Sequence, residues 1–164
     1  MITKQLKTTL LVASLVLTSQ ANALDLDFSK ASKGNMYGGF QSSWPSHGFS
    51  LKMDLNEKMT AQAVVGFLGT VNNYALRGIY KFKKEQFYDM YGFGSLGILT
   101  WSNDIYDENV FGFGGGAGAE YDIRGIDSSF IPLYVSAELG LNIASFDHYN
   151  FSSLGLGVGV HYKF

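Results

Sequence analysis

The chain has no cysteine in its 164 residues, which excludes a disulfide framework and a thiolate metal site. It also lacks a long apolar run. No stretch approaches the roughly 20 residues that a helix needs to cross a bilayer. If the chain enters a membrane it must do so as a closed barrel, because only helices and closed barrels satisfy every backbone polar group in lipid. Positive charge is short as well, with twelve Lys and Arg against fourteen Asp and Glu. That leaves no basic patch of the kind nucleic acid attracts. Beyond about residue 35 the helical period and helix caps are missing.

The N-terminus reads as an address. Lys4 and Lys7 precede an apolar run from Leu10 to Leu17, and Ala21-Asn22-Ala23 supplies a small-x-small cleavage pattern. The run is too short for a spanning anchor. Residues 1–23 are therefore expected to be a cleaved signal peptide, with residues 24–164 forming one domain. Cleavage would take two of the twelve basic residues, leaving ten against fourteen acidic ones. From Leu24 to Asn35 the role is open. Leu24, Leu26 and Phe28 alternate with Asp25, Asp27 and Ser29, and the segment could extend the first strand, cross the mouth of a barrel or stay loose.

What replaces the helical period is a period of two. Leu154, Leu156, Val158, Val160, Tyr162 and Phe164 share one face; Ser153, Gly155, Gly157, Gly159, His161 and Lys163 share the other. The same alternation sets Leu133, Val135, Ala137, Leu139, Leu141 and Ile143 against Tyr134, Ser136, Glu138, Gly140 and Asn142. It sets Phe111, Phe113, Gly115, Ala117, Ala119 and Tyr121 against glycines ending in Glu120 and Asp122. In the N-terminal half, strands are expected over 36–43, 49–55, 61–68 and 76–82. One more lies within 87–101, where both faces are apolar and the register is open. Eight such segments have about the length of a tilted membrane strand, ~9–11 residues. An even count returns both ends to one side. The fold class expected is all-β, an eight-stranded antiparallel up-and-down transmembrane barrel. Its connections fall at 44–47, 56–58, 69–72, 83–86, 102–109, 123–130 and 144–150.

Glycine placement decides which face is inside. Gly155, Gly157 and Gly159, with Gly112, Gly114, Gly116 and Gly118, fall on the non-apolar face. On a water-facing surface they would weaken the strands to no purpose. Inside an eight-stranded barrel, where side chains only just fit, they make room for Lys52, Arg77 and Tyr134. Aromatics at strand ends, among them Trp44, Phe49, Tyr80, Phe82, Trp101, Phe111, Tyr121 and Tyr162, suit interfacial girdles.

The final strand, Gly157 to Phe164, resembles the C-terminal recognition signal of bacterial outer-membrane barrels, with Val158, Val160, Tyr162 and the terminal Phe164 on its apolar face. Taken with the signal peptide and the strand count, the chain resembles the small OmpA/OmpX class. That resemblance implies a Gram-negative outer membrane, with lipid and lipopolysaccharide around the barrel. It implies periplasmic chaperones and the barrel-assembly machinery as partners during biogenesis.

Chemistry could sit in two places. The inner face offers Lys52, Arg77, Lys81 and Lys163 against Asp54, Glu120, Asp122 and Glu138. Buried charge is costly unless paired, so mixed signs point to an ion-pair network that plugs the lumen; a narrow gated ion path is the alternative. If the N-terminus is periplasmic, the connections at 44–47, 69–72, 102–109 and 144–150 face outward, and there Ser46-His47 and Asp147-His148-Tyr149, followed by Ser152 and Ser153, are on offer. These are the residue types of lipid A acyl-modifying barrels, without the His-x-Ser-Asn spacing of the deacylase type, and a triad needs geometry rather than residue types. Asp104, Asp107 and Glu108 could meet a hard cation, but no EF-hand spacing is present. Glycine pairs such as Gly112-Phe113-Gly114 precede no helix and are not nucleotide motifs. No cofactor is expected. The reading that follows is a non-enzymatic structural or surface-interaction barrel, with a lipid-modifying enzyme and a small pore as alternatives.

Overall fold

The computed structural model describes residues 34–43, 46–66, 71–102, 107–144 and 153–164. Residues 1–23, read as signal peptide, residues 24–33 of the segment from Leu24 to Asn35, and much of the connections 44–47, 69–72, 102–109 and 144–150 lie outside the described residues. Eight strands form the fold: β1 (Met36–Ser43), β2 (Ser46–Asp54), β3 (Met59–Gly66), β4 (Val71–Lys84), β5 (Tyr88–Ser102), β6 (Asp107–Asp122), β7 (Leu133–Ile143) and β8 (Leu154–Lys163). Each pairs antiparallel with the next, and β8 closes onto β1 from Tyr37 opposite Lys163 to Ser43 opposite Gly157. The sheet is a closed up-and-down barrel, so it has no free edge. The start of β1 at Met36 and the end of β8 at Lys163 lie on one side of the barrel with the connections 55–58, 85–87 and 123–132; the last begins in a 3-10 turn, Ile123–Gly125. Among the described residues no helix is long and apolar enough to cross a membrane, which bears only on helices.

Several strands run further than the hydrophobic pattern predicts. Ser46 and His47 belong to β2, Asn72, Lys83 and Lys84 to β4, and Asp107 to Asn109 to β6. Polar residues end a strand only when the ladder ends. Here Ser102 still pairs with Asp107 and Trp101 with Glu108. A register shift between Lys81 and Lys83 places one extra residue in β4, a bulge near the rim of the kind that re-aims side chains.

The burial pattern inverts that of a water-soluble protein. Leu156 is 78 % exposed and Leu141 61 %, while Lys52 and Arg77 are each 3 % exposed. Charged residues are almost never fully buried unless paired. The outward wall is a band of Phe, Leu, Val, Ile and Tyr contributed by all eight strands. Glycines on the inner face leave space that neighbours use: a Cβ on Gly157 would collide with the Ser43 side chain, and one on Gly118 would lie 2.8 Å from the Tyr91 ring.

Candidate functional site in the barrel interior

A strand's inward positions fall every second residue, and the pairing register sets which of them meet. Arg77 sits opposite Gln62 on β3 and Ser95 on β5. Glu138 sits between Gly118 on β6 and Gly157 on β8. With no side chain on either neighbour, the Glu138 carboxylate reaches across the lumen. Its Oε2 accepts from Arg77 Nη2 at 2.8 Å, from Gln41 Nε2 at 3.1 Å and from Ser43 Oγ, while Oε1 accepts from the Tyr91 hydroxyl at 2.7 Å. The Arg77 guanidinium carbon also lies 4.2 Å from the centroid of the Phe93 ring, an attraction that strengthens where water is excluded.

The bonding continues sideways. Gln41 receives a long contact, 3.4 Å, from Gln62 Nε2, which also donates to Ser50 Oγ at 2.7 Å. The Nε2 of fully buried His161 lies 2.8 Å from that same oxygen. One polar chain thus runs from His161 on β8 through β2, β3 and β1 to Glu138 on β7, and on to Arg77 and Tyr91 on β4 and β5.

A second group lies nearer the termini. Lys52 pairs with Glu120. Lys81 bridges Asp54 at 3.3 Å and Asp89 at 3.2 Å. Asp54 also accepts from the Tyr37 hydroxyl at 2.8 Å and from Thr60. At the mouth Arg124 clamps Asp122 and donates to the Tyr134 hydroxyl at 3.0 Å, and Tyr134 meets Tyr37 edge-on at 5.2 Å. The opposite end of the lumen holds the buried Leu99 and Trp101, with Val110 and Ala144 packed against them, beside the buried amides Asn73 and Asn142. Small voids remain, one lined by Ser43, Arg77, Phe93, Ser95 and Glu138, another by Lys52, Asp54, Lys81, Tyr91 and Glu120.

The structure brings Lys52 to Glu120 and Arg77 to Glu138, and places Lys81 on two carboxylates. Lys163 is a correction. It was expected in the charge network, yet its ammonium lies 5.0 Å over the Tyr37 ring and forms no ion pair among the described residues. As the last residue of β8 it stands at the mouth, over the ring face of Tyr37. Trp101 is a second correction: it points into the lumen rather than into an outer girdle. Val158, Val160, Tyr162 and Phe164 point outward, and the Phe164 ring covers Gly38 on β1. Tyr91, Asp89 and Phe93 went unread because β5 is apolar on both faces. Pairing Asp89 opposite Glu120 would have set the parity.

Of the outer-rim candidates, Trp44, Asp104, Asp147, His148, Tyr149 and Ser152 lie outside the described residues. The His47 backbone N–H donates to Asn73 Oδ1 at 3.1 Å. Among the described residues no group of His, Asp and Glu is arranged to hold a metal.

No family model matches the chain, and no curated protein matches it. Solved structures do. The N-terminal β-barrel domain of Pseudomonas aeruginosa OprF is similar at a TM-score of 0.57 and 15 % identity, over 80 % of this chain and 98 % of that one. A de novo designed protein, TMB2.3, aligns at a TM-score of 0.48 and 14 % identity, over 82 % of this chain and 98 % of that one. At this identity the likeness to the OprF domain is one of fold: the chain has the closed eight-stranded barrel architecture that its sequence suggested.

Proposed function

We propose that the chain is a small integral protein of a Gram-negative outer membrane, with a structural or surface-interaction role and a lumen that does not conduct. The observation carrying this reading is the inverted wall: an apolar exterior around an interior of paired charges. An exterior of this kind suits lipid and lipopolysaccharide, since exposed apolar surface of this extent is unfavourable in water. The interior suits a plug. Ions crossing it would have to displace Arg77 from Glu138 and then Lys52 from Glu120, after passing Leu99 and Trp101. Partners during biogenesis would be periplasmic chaperones and the barrel-assembly machinery, acting on the strand that ends at Phe164.

Planar-bilayer recording on the purified full chain tests the lumen. The expected result is no steady conductance. Large, steady currents from the unmodified protein would replace the plugged barrel with a pore. Phase partition tests the wall: the protein should follow detergent, and a chain that stays soluble without it sinks the membrane reading.

A further inference from the structure

The connections at the end bearing the termini differ sharply from one another. Residues 55–58 and 85–87 expose Asn56, Glu57 and Lys58, and Glu85 and Gln86. The β6–β7 connection exposes Asp127, Ser128 and Ser129 too, but sets Ile126, Phe130 and Ile131 around them, at 75 %, 47 % and 60 %. It is a formed turn. The Ile126 N–H donates to Ile123 O at 2.9 Å, the Ser129 N–H to Asp127 Oδ1 at 2.9 Å, and the Phe130 N–H to Asp127 O at 3.1 Å. Its apolar side chains are held out by a bonded backbone.

The segment straddles the barrel rim. Arg124 turns inward to Asp122 and Tyr134. Gly125 lies on the outward side, so close to the wall that an added Cβ would come within 2.6 Å of the Phe87 ring and would also strike the Tyr121 hydroxyl. Tyr121 faces outward beside Tyr88, whose ring lies 5.2 Å from the exposed Lys83 ammonium. A strip therefore runs from Lys83, which also lies 3.7 Å from the exposed Glu85, past two tyrosines to Gly125 and the turn, at the border of the apolar wall.

We propose that this turn is an interfacial anchor, seated in the bilayer leaflet at the end of the barrel that bears Met36 and Phe164. Ile126, Phe130 and Ile131 enter the boundary between headgroups and acyl chains, and Lys83 meets anionic phospholipid headgroups. Large apolar side chains beside basic residues lie in that plane, and tyrosines favour it because their rings are amphipathic. Continuity with the wall selects lipid as the occupant over a protein partner, which would have to share the strip with the bilayer. The proposal rests on the membrane reading above.

The absence of cysteine makes the test direct. Single substitutions Ile126→Cys, Phe130→Cys, Ile131→Cys, Glu57→Cys and Leu139→Cys would each carry a nitroxide on the full chain, folded into phosphatidylethanolamine–phosphatidylglycerol vesicles. Relaxation by oxygen is compared with relaxation by a water-soluble nickel complex. Labels in the turn should show an oxygen-to-nickel ratio above that at Glu57 and below that at Leu139. Adding Ile126→Ser and Ile131→Ser should drop the Phe130 label to the Glu57 value. Turn labels that match Glu57 while Leu139 stays lipid-like would overturn the anchor and leave the membrane barrel standing. A Leu139 label that behaves like Glu57 would remove the membrane reading itself. Turn labels shielded from both relaxants would show that protein covers the turn, which also overturns the proposal.

Discussion

The two ends of the lumen are filled by different chemistry. Toward the termini the filling is charge: Lys52 on Glu120, Lys81 on Asp54 and Asp89, Arg124 on Asp122, with the Arg77–Glu138 hub above them. Toward the opposite rim it is mainly volume: Leu99 and Trp101 against Val110 and Ala144, with the uncharged amides Asn73 and Asn142 beside them. A buried charge needs a partner at a fixed position, so each ionic side chain constrains another strand. An apolar side chain needs only complementary shape. The charged end therefore fixes which strands face one another, while the apolar end closes the lumen without specifying much.

The comparison breaks most sharply at Arg77. Arg77→Ala should destabilise the barrel by about 3–5 kcal/mol, because it leaves the Glu138 carboxylate buried and unpaired. Combining it with Glu138→Leu should cost less than the two single losses together, since contacting residues do not add. The double variant should still fall short of neutral, because Tyr91, Ser43 and Gln41 lose their shared acceptor. Unfolding curves in urea for the full cycle check this. Additive losses would mean that the contact carries no energy.

The same contrast sets how far the sequence could be read. Eight strands, closure and inward glycines follow from the period of two, because a one-residue slip would turn a whole strand inside out. The charged end was legible because Lys52, Arg77, Glu120 and Glu138 each interrupt an otherwise small or polar face. The apolar end was not. In β5, Leu99 and Trp101 point inward while Leu96 and Ile98 point outward, and hydrophobicity on both faces erases the alternation. That silence also hid Tyr91, which donates to the Glu138 hub, and Asp89, which shares Lys81. Lys163 misled in the opposite direction: parity put it on the inner face, but parity says nothing of depth, and at the mouth it meets the Tyr37 ring.

At the apolar end, Leu99→Ala should cost about 2–5 kcal/mol through lost burial and the cavity left behind. It should also leave the charge network intact, because Leu99 belongs to a separate cluster. Paired with Arg77→Ala, its loss should add within the error of the measurement, unlike the loss of Glu138. Strong coupling between Leu99 and Arg77 would show that the two ends are one mechanical unit.

The outer wall offers a smaller effect. Leu139 and Leu141 are exposed on β7 while Glu138 between them and Ala137 is buried. Leu139→Arg should cost about 2–4 kcal/mol near the midplane of a membrane barrel and less toward the interfaces. Moving the same change to Leu154, near the rim, should lower the loss. Equal losses at both sites would show that depth in a bilayer does not govern the wall.

The smallest effect on stability is expected at Phe164, where the effect on assembly should be large. The residue is 56 % exposed, so on the membrane reading it faces lipid, and removing its ring forfeits little water-driven burial. What it holds in the fold is an edge-on contact with Tyr162 at 5.8 Å and cover over Gly38 across the β1–β8 seam. An aromatic over a strand glycine supports the pairing beneath it, and one ring pair is worth about 0.5–1.5 kcal/mol. Phe164→Ala should therefore refold in detergent with a loss of that order. In cells the same variant should reach the outer membrane poorly while export is unchanged, if the terminal ring is read by the assembly machinery rather than needed by the finished barrel. Phe164→Tyr should restore both. A variant that assembles normally would remove the recognition role, and one that fails equally in detergent would make the seam, not recognition, the reason for the ring.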